Sequence, residues 1–135
     1  MVDTDVNGEF GYQIILTEFL NKRAATSAAG GWGGDKYATY ENKPTGDVLV
    51  AQFTTWDTPQ DAQDFFNAYC ERTEKRYNAK RPDEVTGKPR VYETSEGLVA
   101  IELRDKDVVI IEGAKSPDQL KLLWQQILKS KKSLM

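Results

Sequence analysis

The chain has 135 residues, of which 39% are hydrophobic and 29% charged, with a net charge of -3 at pH 7 and a mean hydropathy of -0.60. This composition predicts one water-soluble globular domain over residues 1–135, large enough to bury a core without disulfides or metal. No apolar run reaches the roughly 18 residues of a spanning helix, and the acidic balance argues against general affinity for nucleic acid. Histidine is absent and Cys70 is the single cysteine. That excludes Cys–His and Ser–His–Asp nucleophile systems, structural zinc patterns and an intrachain disulfide framework.

Residues 1–8 read as a flexible, polar N-terminus without the basic and apolar regions of a secretory signal. Asp3, Asp5 and Asn7, followed by Gly8, match the first half of a calcium loop, where oxygen ligands fall at every second position before a glycine. The second half departs from the pattern, because the twelfth position is Ile14 rather than a bidentate glutamate. The plainer reading has Asn7 or Asp5 capping the next helix. Over residues 9–20, Phe10, Ile14, Ile15, Leu16, Phe19 and Leu20 predict a helix that is buried over more than one face.

Asn21 offers the cap of a second helix over residues 22–29, whose alanines allow a bulky neighbour to approach closely. Gly30 or Gly31 then ends it in the left-handed conformation. Gly30-Gly31-Trp32-Gly33-Gly34-Asp35 reads as a loop leading into a strand at 36–40, with a turn at 41–47 and a second strand at 48–56. In that second strand Val48, Val50 and Trp56 share one face and Leu49, Ala51 and Phe53 the other, the pattern of an interior strand.

Thr58-Pro59-Gln60-Asp61 is a helix start with three agreeing signals: a threonine cap, proline at the first position and an acid at the third. Ala62, Phe65, Phe66, Tyr69, Thr73 and Tyr77 follow at helical spacing and form a core-facing stripe, with Cys70 beside it. Residues 78–88 read as a crossing loop, and three strands joined by short hairpins follow at 90–94, 98–104 and 107–112. Ser116-Pro117-Asp118-Gln119 repeats the helix-start chemistry. Leu120, Leu123, Trp124, Ile127 and Leu128 form the last buried stripe, and residues 129–135 a basic, fraying tail.

The order is helix-helix-strand-strand-helix-strand-strand-strand-helix. It predicts an α+β domain with an antiparallel sheet of about five strands and helices on one face or at its end. No βαβ period points to a parallel nucleotide-binding sheet.

The glycine-rich stretch is the chemically extreme feature. As a phosphate cradle it has the wrong polarity, because it follows a helix and meets carbonyls rather than amide hydrogens. Trp32, Tyr37, Tyr40 and Trp56 can form the aromatic wall of a ligand pocket with Asp35 as its polar group. The alternative is a structural corner, with the glycines permitting a tight helix-to-strand reversal, Trp32 plugging the core and Asp35 bonded to amides of the loop; this alternative is preferred. Asp35, Asp57, Glu93 and Glu102 are acid–base candidates by residue type alone, and no spacing singles out a pair.

Gly8-Glu9, then Ala28-Ala29-Gly30-Gly31-Trp32-Gly33-Gly34-Asp35-Lys36-Tyr37, then Trp56-Asp57-Thr58 with Asp61-Ala62 and Phe65 resembles an uncharacterised bacterial domain family. Its pattern is G-E, A-A-x-G-W-x-G-D-x-Y and W-D-T-x-x-D-A-x-x-F. The resemblance covers about the first half of the chain, with Gly31 as an extra residue. It implies an extracytoplasmic location with the leader removed; it is silent on activity and carries over no catalytic or binding residue. The element order is similar to that of small domains of the PsbP and Mog1 type, a likeness that does not fix function. The expectation is a non-catalytic binding or protein-interaction domain accessory to an exported system, without cofactor or resident metal, its partner a protein or small molecule. The alternative is a hydrolase or isomerase using carboxylates and aromatics near residues 30–37.

Overall fold

The computed structural model describes residues 2–42, 44, 46–83 and 88–134. Parts of the expected turn at 41–47 and of the crossing at 78–88 therefore lie outside the described residues. In chain order the elements are β1 (Val2–Asp5), α1 (Gly8–Thr17), α2 (Lys22–Ala29), β2 (Trp32–Asn42), β3 (Asp47–Trp56) and α3 (Pro59–Tyr77), then β4 (Arg90–Thr94), β5 (Gly97–Arg104), β6 (Asp107–Ala114) and α4 (Pro117–Leu134). The fold is α+β, and the nine expected elements occur in the expected order. A tenth, the edge strand β1, occupies the N-terminal segment that reads from sequence as flexible; it pairs antiparallel with β2, from Val2 opposite Tyr40 to Asp5 opposite Tyr37. Likewise the backbone of α4 stays helical to Leu134, through most of the expected tail.

The antiparallel sheet runs β1-β2-β3-β6-β5-β4, so β3 and β6 lie at its centre. Helices cover both faces, not one. Gln52, Thr54 and Trp56 of β3 and Val108, Ile110 and Glu112 of β6 face α1, α2 and α3, while Leu49, Ala51, Phe53, Val109 and Ile111 face Leu123 of α4. This two-sided burial follows from apolar groups at both parities of β3 and β6.

Capping fixes where the helices begin. Thr58 accepts from the Asp61 amide at 3.1 Å with Pro59 opening α3, Asn21 accepts from Ala24 at 2.8 Å, and Ser116 accepts from Gln119 at 3.2 Å, as their residue types dictate. For α1 the expected cap is replaced: Asn7 makes no side-chain cap bond, and Asp35 supplies the acceptors from 27 and 28 residues away.

The glycine stretch also differs from expectation. Gly30 ends α2 in right-handed helical conformation at φ -65°, and Trp32, Gly33 and Gly34 belong to β2, with a register shift between Trp32 and Gly34 against β3. Gly31 is required for close approach. A Cβ there would lie 2.3 Å from Cγ of Asp61 at the start of α3, and the Gly31 carbonyl accepts from the Asp57 amide at 2.8 Å. Glycine thus lets the chain leaving α2 press against the first turn of α3.

Candidate functional site

Of the five residues proposed from sequence as a pocket, three share one neighbourhood. Trp56 is buried and stacks on Phe65 with ring centroids 4.3 Å apart. Trp32 is half-buried and packs on the same core. Asp35, 8% exposed, accepts from the amides of Asn7 at 2.8 Å and Gly8 at 2.9 Å and from the Trp32 indole at 3.0 Å. Two of those donors are the free amides at the N-terminus of α1, where an anion is favoured by both hydrogen bonding and the helix dipole. Asp35 therefore ties β2 to α1.

Tyr37 lies opposite Gln52 on the three-helix face, and Tyr40 lies opposite Leu49 on the α4 face. The two tyrosines thus flank opposite sides of the sheet. Tyr40 lines a separate groove of about 220 Å³ with Leu49, Leu123, Gln119 and Lys115, whose Nζ lies 3.5 Å from Asp47. Asp3 and Asp5 fall on β1, their side chains outside those described, and Asn7 donates through Nδ2 to Gln52 at 3.3 Å. Among the described residues no group of three or more acidic or cysteine side chains gathers as a metal site.

Sequence reasoning missed a buried polar chain beside this neighbourhood. The Tyr12 hydroxyl donates to Gln52 Oε1 at 2.8 Å, and Gln52 Nε2 donates to the Tyr69 hydroxyl at 3.1 Å. Tyr69 donates to Glu112 Oε1. Arg72 Nη1 donates to Glu112 Oε1 at 2.8 Å and to the Tyr69 hydroxyl at 3.1 Å, and Tyr77 donates to Glu112 Oε2 at 2.9 Å. The chain therefore links α1, β3, α3 and β6 through the core. Burial, with the Glu112 charge beside it, pushes the Tyr69 hydroxyl well above its ordinary pKa; burial and then the charge of Asp35 push Tyr12 up. Burial opposes the charge on Arg72, but Tyr69 and Glu112 beside it outweigh that and raise its pKa. These tyrosines are donors held neutral. The signals were present in the sequence: Gln52 inside an apolar strand, Glu112 directly after four apolar residues, and Arg72 three residues after Tyr69 on α3.

Near the open end of α3, Glu74 accepts from Arg81 at 2.8 and 3.0 Å and from the Tyr92 hydroxyl at 2.6 Å. Glu93 and Glu102 do not join either cluster. Glu102 is held by Arg104 at 2.8 Å, and its Oε2 is buried without a hydrogen-bond partner.

Helix α1 carries the remaining feature. Tyr12 and Leu16 are buried, whereas Phe10 is 73% and Ile14 51% exposed, so the expected burial over more than one face is met on one face only. Successive residues advance about 100° around a helix, which puts Phe10 and Ile14 roughly opposite Tyr12. They flank a groove of about 370 Å³ between α1 and α2, completed by Gln13, Thr17, Glu18, Lys22 and Thr26. A third groove, about 660 Å³, lies near Arg81, Val91, Leu98 and Leu120. Among the described residues no helix is long and apolar enough to cross a membrane.

Comparison with curated proteins and with solved structures finds no match. A family profile does match, over residues 1–124, which takes in every described strand and the first two turns of α4. The chain accordingly belongs to the family described as a domain of unknown function, DUF8575.

Proposed function

We propose that this is a non-catalytic protein-interaction domain whose contact surface is the outward face of α1. The observation that carries the proposal is the pairing of two apolar faces on one ten-residue helix, of which the chain's described residues cover only that of Tyr12 and Leu16. A helix apolar on opposite sides is stable in water when both sides are covered, and a contiguous exposed apolar ridge marks an interaction site. The resemblance of the Trp32 motif to exported bacterial chains supports a role accessory to an exported assembly.

The hydrolase or isomerase alternative draws support from Glu112 with Tyr69 and Tyr77, an acid and two hydroxyls in direct contact. Against it, Arg72 and the two tyrosines engage both oxygens of that carboxylate, and none of the three grooves above is lined by it. Asp35 is similarly engaged by α1 and Trp32.

The test is site-specific photo-crosslinking in cells, with a benzophenone amino acid replacing Phe10 and, as control, exposed Lys121. A discrete adduct at position 10 that Ile14→Glu abolishes is the expected result. Equal patterns at both positions would overturn the assignment of this surface.

A further inference from the structure

Resting on that reading, we infer that the occupant of the α1 surface is a second copy of this chain, joined about a two-fold axis. The surface carries a ridge and a groove side by side: Phe10 and Ile14 stand exposed, and the α1–α2 groove that they border has Thr17 and Thr26 on its walls. An isologous interface requires this arrangement, because each patch must present both the shape that inserts and the shape that receives. Ridges entering grooves are also how helices pack.

The charges at the groove are self-complementary in sign. Glu18 and Lys22 line it, one of each charge and both exposed. Under a two-fold axis, each copy's Glu18 has a cation of the partner patch available, and each Lys22 an anion. A patch of a single sign would repel its own copy. The apolar centre with a mixed polar rim follows the usual interface layout.

Sedimentation equilibrium of the full chain tests this. The expected result is a reversible dimer with a Kd on the order of 10 µM, appropriate to a contact at the small end of interface sizes. Phe10→Glu is expected to weaken it by about 30-fold or more, as for loss of a central anchor. Glu18→Lys and Lys22→Glu are each expected to weaken it, and the double exchange to restore it. Circular dichroism of each variant establishes that a loss of dimer is not a loss of fold. In cells, the position-10 adduct is expected to be a doubled chain.

A monomer at about 100 µM, ten times that Kd, overturns the second-copy inference. If the position-10 adduct is then with a different protein, the interaction reading stands without it. If there is no adduct specific to position 10, both fall. A dimer unaffected by Phe10→Glu also overturns the inference, since the contact then lies elsewhere.

Discussion

Asp35 shows how one side chain can decide the placement of a helix. Its carboxylate holds two backbone amides at the start of α1 and the Trp32 indole. Asp35→Ala is expected to cost about 2–4 kcal/mol, because donors to a charged acceptor lose a strong bond and remain partly buried. Urea denaturation measures this directly, and a loss below about 0.5 kcal/mol would contradict the capping role. In a structural corner Asp35 is expected to bond to amides of its own loop, whereas the amides it holds belong to the start of a helix 27 and 28 residues earlier. Long-range caps leave no local spacing to read. Gly31 has the same character: its glycine is required by Asp61, on an element 30 residues later.

At the scale of elements, the three local caps at Asn21, Thr58 and Ser116 were legible because the cap and its amide lie within one turn. The stripe of α3 was legible by its period, except that Arg72 is buried within it. Arg72 is there because Glu112 meets it at 2.8 Å across the core. Arg72→Met is expected to cost about 3–5 kcal/mol by leaving Glu112 buried without its cation, whereas Arg72→Met with Glu112→Leu is expected to recover a substantial part of that loss. Chemical denaturation of both singles and the double gives the coupling. Strictly additive losses would contradict a mutually dependent pair. In α1, by contrast, the apolar period pointed to more than one buried face. The structure splits those residues into Tyr12 and Leu16, which enter the core, and Phe10 and Ile14, which do not. Periodicity reports that a face is apolar, and only the fold reports what covers it.

For the whole molecule, the α+β class and element order followed from caps, turns and alternation, while β1 did not, since Val2–Asp5 has too little apolar content to announce a strand. Placement of helices on both faces also needed the structure, because hairpins fix neighbours but not sides. The ionisable clusters set the limits of stability with pH. Burial opposes the charge on Glu74, but hydrogen bonds from Arg81 and Tyr92 outweigh it and hold its pKa below the ordinary 4.5. Its contribution is thus fully present above pH 4.5 and lost as pH falls through the lowered folded value. Glu74→Gln is expected to flatten the acid limb. Tyr12 and Tyr69 are raised above the ordinary 10.0 by burial, so their contribution is complete below pH 10 and declines as pH rises beyond it. Stability measured from pH 3 to 12 checks both limbs.

The central claim is that α1 has one face for the core and one for a partner. Urea denaturation of dilute protein compares Leu16→Ala with the double variant Phe10→Ser and Ile14→Ser. The account predicts a loss of about 2–5 kcal/mol for the first and a change within about 1 kcal/mol for the second, since Phe10 is mostly and Ile14 about half exposed to water. A loss above about 2 kcal/mol in the double variant would contradict it, because Phe10 and Ile14 would then belong to the chain's own core.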